Sequence, residues 1–456
     1  DAAAATPAAA SAPAPATAPA PQEPAAAPQQ WTDDDVRAFR KRLRLRVESD
    51  DAVPRPWAQW ADGALDPRLE KALEDGGWAE PTPIQAQAAP ALRARLDVLA
   101  TAPTGSGKTG AFLIPAVALL LEKGASSKGP VVAVLAPTRE LVAQLAREFA
   151  RVLAGCGSSL KVATGPDFRG AAVAVAAPAA LVSASLAPRY LVFDEADRLF
   201  QVDAATGASA FLPAVDAVLA KRPKHCVTAL FSATASSAGD ELADSALGPR
   251  RCVVRVLPPK DGDANPVTQT LEFVGEEKAK APALLAAVRR GAATPPCLVF
   301  VVCAHKARSV AARLAAAGLR ADYLAASRPR KERDDALRNF RAGRTWFLVA
   351  TDVASRGLDL KALNTVVNYD APWAAADYAH RVGRVGRNGR PGVALTLYTS
   401  KDAPGLRAVA HVAKNTGADV PPWLLARTSK KVWAEFDPRE KHKKKRRRTA
   451  DDDAES

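Results

Sequence analysis

Ten residues, Ala100–Thr109 with the sequence ATAPTGSGKT, constrain this chain more than any other stretch. Leu96-Asp97-Val98-Leu99-Ala100 reads as a short buried strand, and Ala111-Phe112-Leu113-Ile114 opens an apolar helix. A strand, a glycine-rich turn and a helix make the setting in which such a loop cradles phosphate. Gly105 and Gly107 let backbone N–H groups turn inward around an anion, and the helix adds the positive end of its dipole. Thr104 and Ser106 belong to the same loop. Lys108 is placed to reach the β- and γ-phosphates of a nucleotide, and Thr109 to set a hydroxyl on Mg2+. Ala102 stands where the common pattern begins with Gly.

The rest of the chain has the texture that such a loop requires. Buried strands are expected at Val131–Leu135, Ala172–Ala176, Tyr190–Phe193, Val227–Phe231 and Cys252–Leu257, with helical patterns such as Glu140–Leu153 between them. After the polar, proline-containing stretch 258–266, the alternation resumes at Leu298–Val302, Ala321–Leu324, Trp346–Ala350, Thr365–Asn368 and Val393–Tyr398. Strands alternating with helices indicate a mostly parallel sheet covered on both faces. The expected organisation is a disordered Ala/Pro-rich segment over 1–35 and a basic helix with its lead-in over 36–56. Two α/β domains follow over 57–257 and 267–426, joined by the linker 258–266, with a basic disordered tail over 427–456. Thr32-Asp33-Asp34-Asp35 is expected to cap the basic helix, drawn from Val36 to about Val47.

Composition narrows the class. With 456 residues, about two to three domains fit. The longest apolar run, near Ala111–Leu121, contains Pro115 and ends at Glu122, well short of the roughly 20 residues that span a bilayer. No charged and then leucine-rich segment opens the chain, so no secretory signal is expected; a transit peptide is the rival reading of the Ala/Pro segment. Five cysteines without a CxxC pair read as reduced thiols, and Mg2+ carried with a nucleotide is the only metal expected. The chain starts at Asp1 and contains no methionine, which reads as an incomplete or processed chain. A net charge of +14 suggests a polyanionic partner, although part of the excess lies in Lys441–Arg448. That basic run reads equally as an RNA tether, as a nuclear or nucleolar address, or as a solvated tail.

Directly after the strand Tyr190–Phe193 stands Asp194-Glu195-Ala196-Asp197. In an α/β sheet the carboxyl ends of the strands carry the ligand site. Asp194 there can hold Mg2+ through water, and Glu195 can orient and deprotonate an attacking water. With the phosphate loop, this tetrad makes the chain resemble a DEAD-box RNA helicase over roughly Trp57 to Ala426, with the family's motifs in family order. The resemblance implies two tandem RecA-like domains with parallel sheets, an inter-domain cleft that binds ATP with Mg2+, and RNA contacts made largely to the backbone. Pro81-Thr82-Pro83-Ile84-Gln85 resembles the motif whose glutamine hydrogen-bonds adenine, and Trp60, 17 residues before Gly77, is the aromatic able to stack on that base. Pro137-Thr138-Arg139 resembles an RNA-gripping strand-to-helix turn, and Ser232-Ala233-Thr234 the element linking hydrolysis to closure. In the second domain Thr351 is implied to contact RNA, and Gly357 and Asp359 to line the nucleotide cleft. His380-Arg381-Val382-Gly383-Arg384-Val385-Gly386-Arg387 resembles the arginine-finger motif, with Arg384 and Arg387 as the fingers.

The match thins where Lys161–Val173 is compressed and where Arg330-Lys331-Glu332-Arg333 stands in place of the family's usual Gln-x-x-Arg, and it thins most just after the first of these. Ala177-Pro178-Ala179-Ala180 stands where the family usually has Thr-Pro-Gly-Arg, and Pro178 lies only 16 residues before Asp194. Among branches, the chain is similar to the Rok-type helicases of small-subunit ribosome assembly, through Ala102-Pro103-Thr104, Phe340-Arg341-Ala342-Gly343 with Trp346, and Val420-Pro421-Pro422-Trp423. That branch implies pre-rRNA as the RNA, a pre-ribosomal protein cofactor, no membrane, and a nuclear or nucleolar site, with an organelle or the cytoplasm as alternatives. The expected activity is RNA-stimulated ATP hydrolysis with local duplex unwinding. An ATP-switched RNA- or ribosome-binding scaffold without unwinding is the alternative that the altered Ala177–Ala180 stretch favours. A DNA translocase is disfavoured by Gln85 and the acidic tetrad together.

Overall fold

A computed structural model of the chain describes residues 31–124, 129–165, 167–182, 184, 186, 188–201, 209–233, 243–257, 267–355, 360, 363–372, 374–386, 390–416, 418 and 420–425. The first sheet is built from β1 (Leu45–Glu48), β2 (Asp97–Thr101), β3 (Val132–Leu135), β4 (Val162–Ala163), β5 (Val173–Ala176), β6 (Tyr190–Asp194), β7 (Val227–Ser232) and β8 (Arg251–Val256). Their spatial order is β1-β8-β2-β7-β6-β3-β5-β4, and only β1 runs antiparallel to its neighbour. The strands are short apolar runs because both faces are buried. Val98, Val132 and Val192 pack into one core with the helices Lys108–Lys123 and Arg139–Gly155. Leu99, Ala133 and Phe193 pack into another on the opposite face.

The second sheet holds β9 (Val267–Phe273), β10 (Cys297–Val301), β11 (Ala321–Leu324), β12 (Phe347–Thr351), β13 (Thr365–Asn368) and β14 (Gly392–Tyr398). It is parallel throughout, in the order β11-β12-β10-β13-β14-β9. Two parallel α/β sheets in tandem is the expected fold class. Among the described residues no helix is long and apolar enough to cross a membrane.

Two expectations near the N-terminus need correction. The helix drawn over Val36–Val47 runs instead over Asp33–Arg42, so Asp33–Asp35, assigned to the leading disordered stretch, form its first turn. Thr32 Oγ1 accepts the Asp35 N–H at 3.2 Å, and Asp35 Oδ2 accepts the Thr32 N–H at 2.9 Å, which fixes the start. The helix cannot continue through Arg44, which sits at φ 58°. The chain then enters β1, where Leu45 is buried and Arg46 and Glu48 face solvent. Leu45 registers against Val256, so β1 covers the edge that β8 would otherwise expose. β4 and β9 also add to the strands expected from sequence; in β9 the alternating VTQTLEF sequence lies at a sheet edge and lacks the continuous apolar run of a central strand. Residues 1–30, the linker 258–266 and the tail 427–456 lie outside the described residues.

Sheet order is what assembles the site. β2, β7 and β6 are neighbours, with Thr101 registered on Ser232 and Asp194 on Phe231. The loop after β2, the end of β7 and the acidic tetrad after β6 therefore emerge side by side at the carboxyl ends of the strands.

Candidate active site

The phosphate loop is a preformed cradle. Gly105 and Gly107 have φ of 80° and 91°, which only glycine adopts without strain, and Gly107 caps the helix Lys108–Lys123. Thr104 Oγ1 and Ser106 Oγ are buried there with no hydrogen-bond partner. Buried hydroxyls of that kind are normally satisfied, so the loop is built to receive oxygens from outside the protein. Lys108 Nζ folds across the loop onto the carbonyls of Ala102 at 2.6 Å and Pro103 at 3.0 Å.

Gln85 ties the upstream motif to this loop. Its side chain is 4% exposed; Oε1 accepts the Thr82 N–H at 2.9 Å and Nε2 donates to the Gly107 carbonyl at 3.0 Å. Trp60 is packed in the first core and donates its indole N–H to the Trp78 carbonyl at 2.7 Å. Gly110 is the contact point of this assembly, because a Cβ there would stand 2.5 Å from Trp78 Cζ3 and closer still to Gln85 Nε2. Gly110→Ala should therefore displace Gln85, lower stability by about 1–3 kcal/mol as overpacking does, and weaken binding of a fluorescent ATP analogue. Thermal melting and a nucleotide titration of the variant check both parts; unchanged affinity would show that Gln85 does not set the nucleotide site.

The acidic tetrad is strongly perturbed by its surroundings. Burial, and then the charge of Glu195, push the Asp194 carboxyl up to about 7. Its Oδ1 accepts the Glu195 N–H at 3.0 Å. Glu195 sits at φ 52°, a left-handed conformation that costs a residue with a Cβ on the order of 1–3 kcal/mol and that clusters at functional sites. Burial would raise Asp197 too, but the 3.2 Å contact to His380 Nε2 and the nearby charges of Lys108 and Arg198 together outweigh it and hold the carboxyl at about 2.

His380 belongs to the other domain. Its helix, Ala375–Val382, is anchored on the second sheet by Arg381. That guanidinium makes a two-pronged bond to Asp352 at 2.8 and 2.6 Å, donates to the Asp370 carbonyl at 2.7 Å and lies over the Phe300 ring. From this base the helix reaches the first domain at three points. His380 meets Asp197, Asp377 meets Arg198 at 2.5 Å, and Gly383 approaches Thr104 so closely that any side chain at 383 would collide with it.

Between the domains lies a cavity of about 260 Å3. Thr104, Gly105, Gly107, Lys108 and Thr109 line it from the phosphate loop, Asp194 from the end of β6 with Glu195 just after it, and His380 and Arg384 from the second domain. Ser232, 6% exposed, closes β7 beside them. Thr138 caps the helix Arg139–Gly155 by accepting the Leu141 N–H at 3.2 Å, with Pro137 and Arg139 on either side of it at the carboxyl end of β3. Thr351 ends β12 in the second sheet. Thr234, Gly357, Asp359 and Arg387 lie outside the described residues. Sequence reasoning gives no role to Arg198, Asp377 or Arg381. Arg381 lies inside the motif His380–Arg387, three residues before Arg384, which is a local signal for it; the Arg198–Asp377 pairing leaves no local trace.

This geometry can be set beside known proteins. Residues 82–242 match the DEAD/DEAH box helicase family, and residues 279–389 the helicase conserved C-terminal domain. DEAD-box ATP-dependent RNA helicase 57 of Arabidopsis thaliana is 34% identical over 422 residues, which cover 88% of this chain and 75% of that protein. This chain belongs to the DEAD-box ATP-dependent RNA helicase family. ATP-dependent RNA helicase ROK1 of Eremothecium gossypii is 32% identical over 88% of the chain and 74% of its own length. Probable ATP-dependent RNA helicase DDX52 of Rattus norvegicus is 33% identical over 87% and 70%. Among solved structures, S. cerevisiae Dbp5 bound to RNA and ADP BeF3 superposes with a TM-score of 0.67 at 24% identity, covering 85% of this chain and 99% of that one. At that identity the likeness bears on the fold of this DEAD-box chain, and it is the tandem RecA-like one.

Proposed function

We propose that this DEAD-box protein couples RNA-stimulated ATP hydrolysis to local separation of short duplexes in ribosomal precursor RNA, during assembly of the small ribosomal subunit. One observation carries the catalytic part: the acidic residues of the first domain and the basic residues of the second line a single cavity with the phosphate loop. In this reading Lys108 and the amides of residues 104–109 hold the phosphates, Gln85 and Trp60 select adenine, and Ser232 and Thr234 relay closure. Thr109 and, through water, Asp194 would hold Mg2+, which when bound neutralises phosphate charge. Glu195 orients a water whose oxygen attacks the γ-phosphorus. The bond to the ADP oxygen breaks, and the water proton passes to the carboxylate. Arg384 and Arg387 match planar cations to the charge that develops, while Gly357 and Asp359 line the nucleotide cleft. Pro137, Thr138, Arg139 and Thr351 grip RNA through phosphate and sugar, which gives little sequence preference.

Because the hydrolytic set is complete only with both domains in contact, turnover waits for closure, and RNA spanning the cleft favours closure. The ribosomal assignment rests on the Rok-type residues and on relatives that carry the ROK1 name. Of those residues, Trp346 is 38% exposed with the Arg320 guanidinium 4.9 Å from its ring centroid, a surface suited to a protein cofactor. A nucleolar location follows from the same assignment. A second reading, an ATP-switched scaffold, draws support from the missing cation and hydroxyl in Ala177–Ala180, where the chain forms the short helix Pro178–Val182.

The deciding experiment is steady-state ATP hydrolysis with and without single-stranded RNA, beside a duplex-separation assay. Glu195→Gln should abolish RNA-stimulated turnover, by about 10²- to 10⁴-fold, while ATP-dependent RNA binding persists. ATP binding without RNA-stimulated turnover in the unmodified protein would leave the scaffold reading standing.

A further inference from the structure

Arg198 lies in the short helix Ala196–Leu199, one turn after Glu195, and is 6% exposed. Its Nη2 donates to Asp377 Oδ1 at 2.5 Å across the cleft. Its Nε stands 3.9 Å from Glu195 Oε2, beyond hydrogen-bond reach, and both of those atoms are buried without a hydrogen-bond partner. One guanidinium is thus shared unequally between the opposite domain and the carboxylate that faces the cavity. Asp197, whose carboxyl also feels the Arg198 charge, meets His380 through Oδ2; Glu195 and Asp377 are the carboxylates within 4 Å of the Arg198 guanidinium among the described residues.

We propose that Arg198 is a positioning residue for Glu195, held off that carboxylate by Asp377 only while the two domains are in contact. The inference rests on Glu195 serving ATP hydrolysis. When the cleft opens, Asp377 leaves with its helix, and a buried cation that loses one carboxylate moves to the next within reach. Glu195 Oε2 is that group, about 1 Å beyond the length of a charge-assisted bond. So engaged, the carboxylate is both neutralised and turned from the cavity. Contact between the domains would then do two things: bring Arg384 to the phosphate site and release Glu195 from Arg198.

The test compares the unmodified protein with Asp377→Ala, Arg198→Gln and the double variant, Gln being chosen to fill the buried site. Two quantities are read: kcat for ATP at saturating RNA, and affinity for labelled single-stranded RNA in the presence of a non-hydrolysable ATP analogue, which reports closure without turnover. Asp377→Ala should lower kcat about tenfold or more, the size of one charge-assisted hydrogen bond, with RNA affinity changed less than about threefold. Adding Arg198→Gln should restore kcat to the level of Arg198→Gln alone, because the cation that occupies Glu195 is gone. A plain inter-domain clasp predicts the opposite: the double variant no faster than Asp377→Ala, and RNA affinity falling in step with kcat. Either result overturns the proposal. Absence of RNA-stimulated hydrolysis in the unmodified protein would instead remove the hydrolytic reading on which it stands.

Discussion

Arg384→Ala is expected to cut kcat for RNA-stimulated ATP hydrolysis by about 10³-fold or more while leaving ATP affinity within a few-fold. The side chain is 7% exposed and lines the cavity opposite Lys108 and Glu195. Lys108 is bonded here to two loop carbonyls, and those same carbonyls would compete for it when a phosphate arrives. In the proposed mechanism the second domain adds charge to that of Lys108, and adds it where negative charge would grow as the phosphoryl group leaves. Such an interaction acts in the transition state more than in the bound state, so it appears in kcat rather than in KM. Arg384→Lys should recover little, since a point ammonium lacks the planar fork. Single-turnover hydrolysis at saturating RNA is the direct measurement. A loss under tenfold would shift the role to Arg387.

The fold and the parts of the candidate site carried by short motifs, Arg384 of the second domain among them, are legible in the sequence because they are local. A glycine-rich turn between a strand and a helix, or an acidic tetrad at the end of an apolar run, declares itself within ten residues. Strand positions in the two sheets are legible for the same reason: β10, and β6 as far as Phe193, are buried on both faces and read as apolar runs. The features that escape are either short or non-local. Leu45–Glu48 is four residues long, and its alternation is lost beside a charged helix. The family resemblance implies an adenine contact for Gln85, whereas the staple its amide makes between Thr82 and Gly107 is seen only in the folded chain. Arg198 and Asp377 are separated by 179 residues, and no spacing rule joins them. The perturbed carboxyl of Asp194 is equally hidden, because burial is a property of the assembled sheet.

The second domain holds a buried cation whose removal should be costly. Lys280 is 1% exposed, with Nζ 3.0 Å from Glu277, 3.1 Å from Asp370 and 3.5 Å from Asp402. Lys306 reaches two of the same carboxylates, at 2.6 Å for Glu277 and 2.8 Å for Asp370. Lys280→Met fills the space but leaves Asp370 buried with one cation fewer. Breaking a buried pair from one side costs about 3–5 kcal/mol, and Lys306 keeps this case near the lower end. The pH dependence distinguishes this mechanism from simple mispacking. Burial would raise Asp370, but the Lys306 hydrogen bond and the Val302 N–H outweigh it and hold the carboxyl below its ordinary range; Glu277 is held down in the same way. Groups depressed on folding contribute stability that is present above their unfolded pKa and lost as pH falls through the folded one. The unmodified domain should therefore weaken below about pH 4. In Lys280→Met the Asp370 carboxyl rises, since it has lost a cation, and its protonated form no longer needs one. The stability gap between the two proteins should be widest near neutrality and narrow as the solution is acidified. Thermal melts of both proteins from pH 7 down to about pH 4 would show this; a gap constant across that range would mean that Lys280 acts through its packing and not its charge.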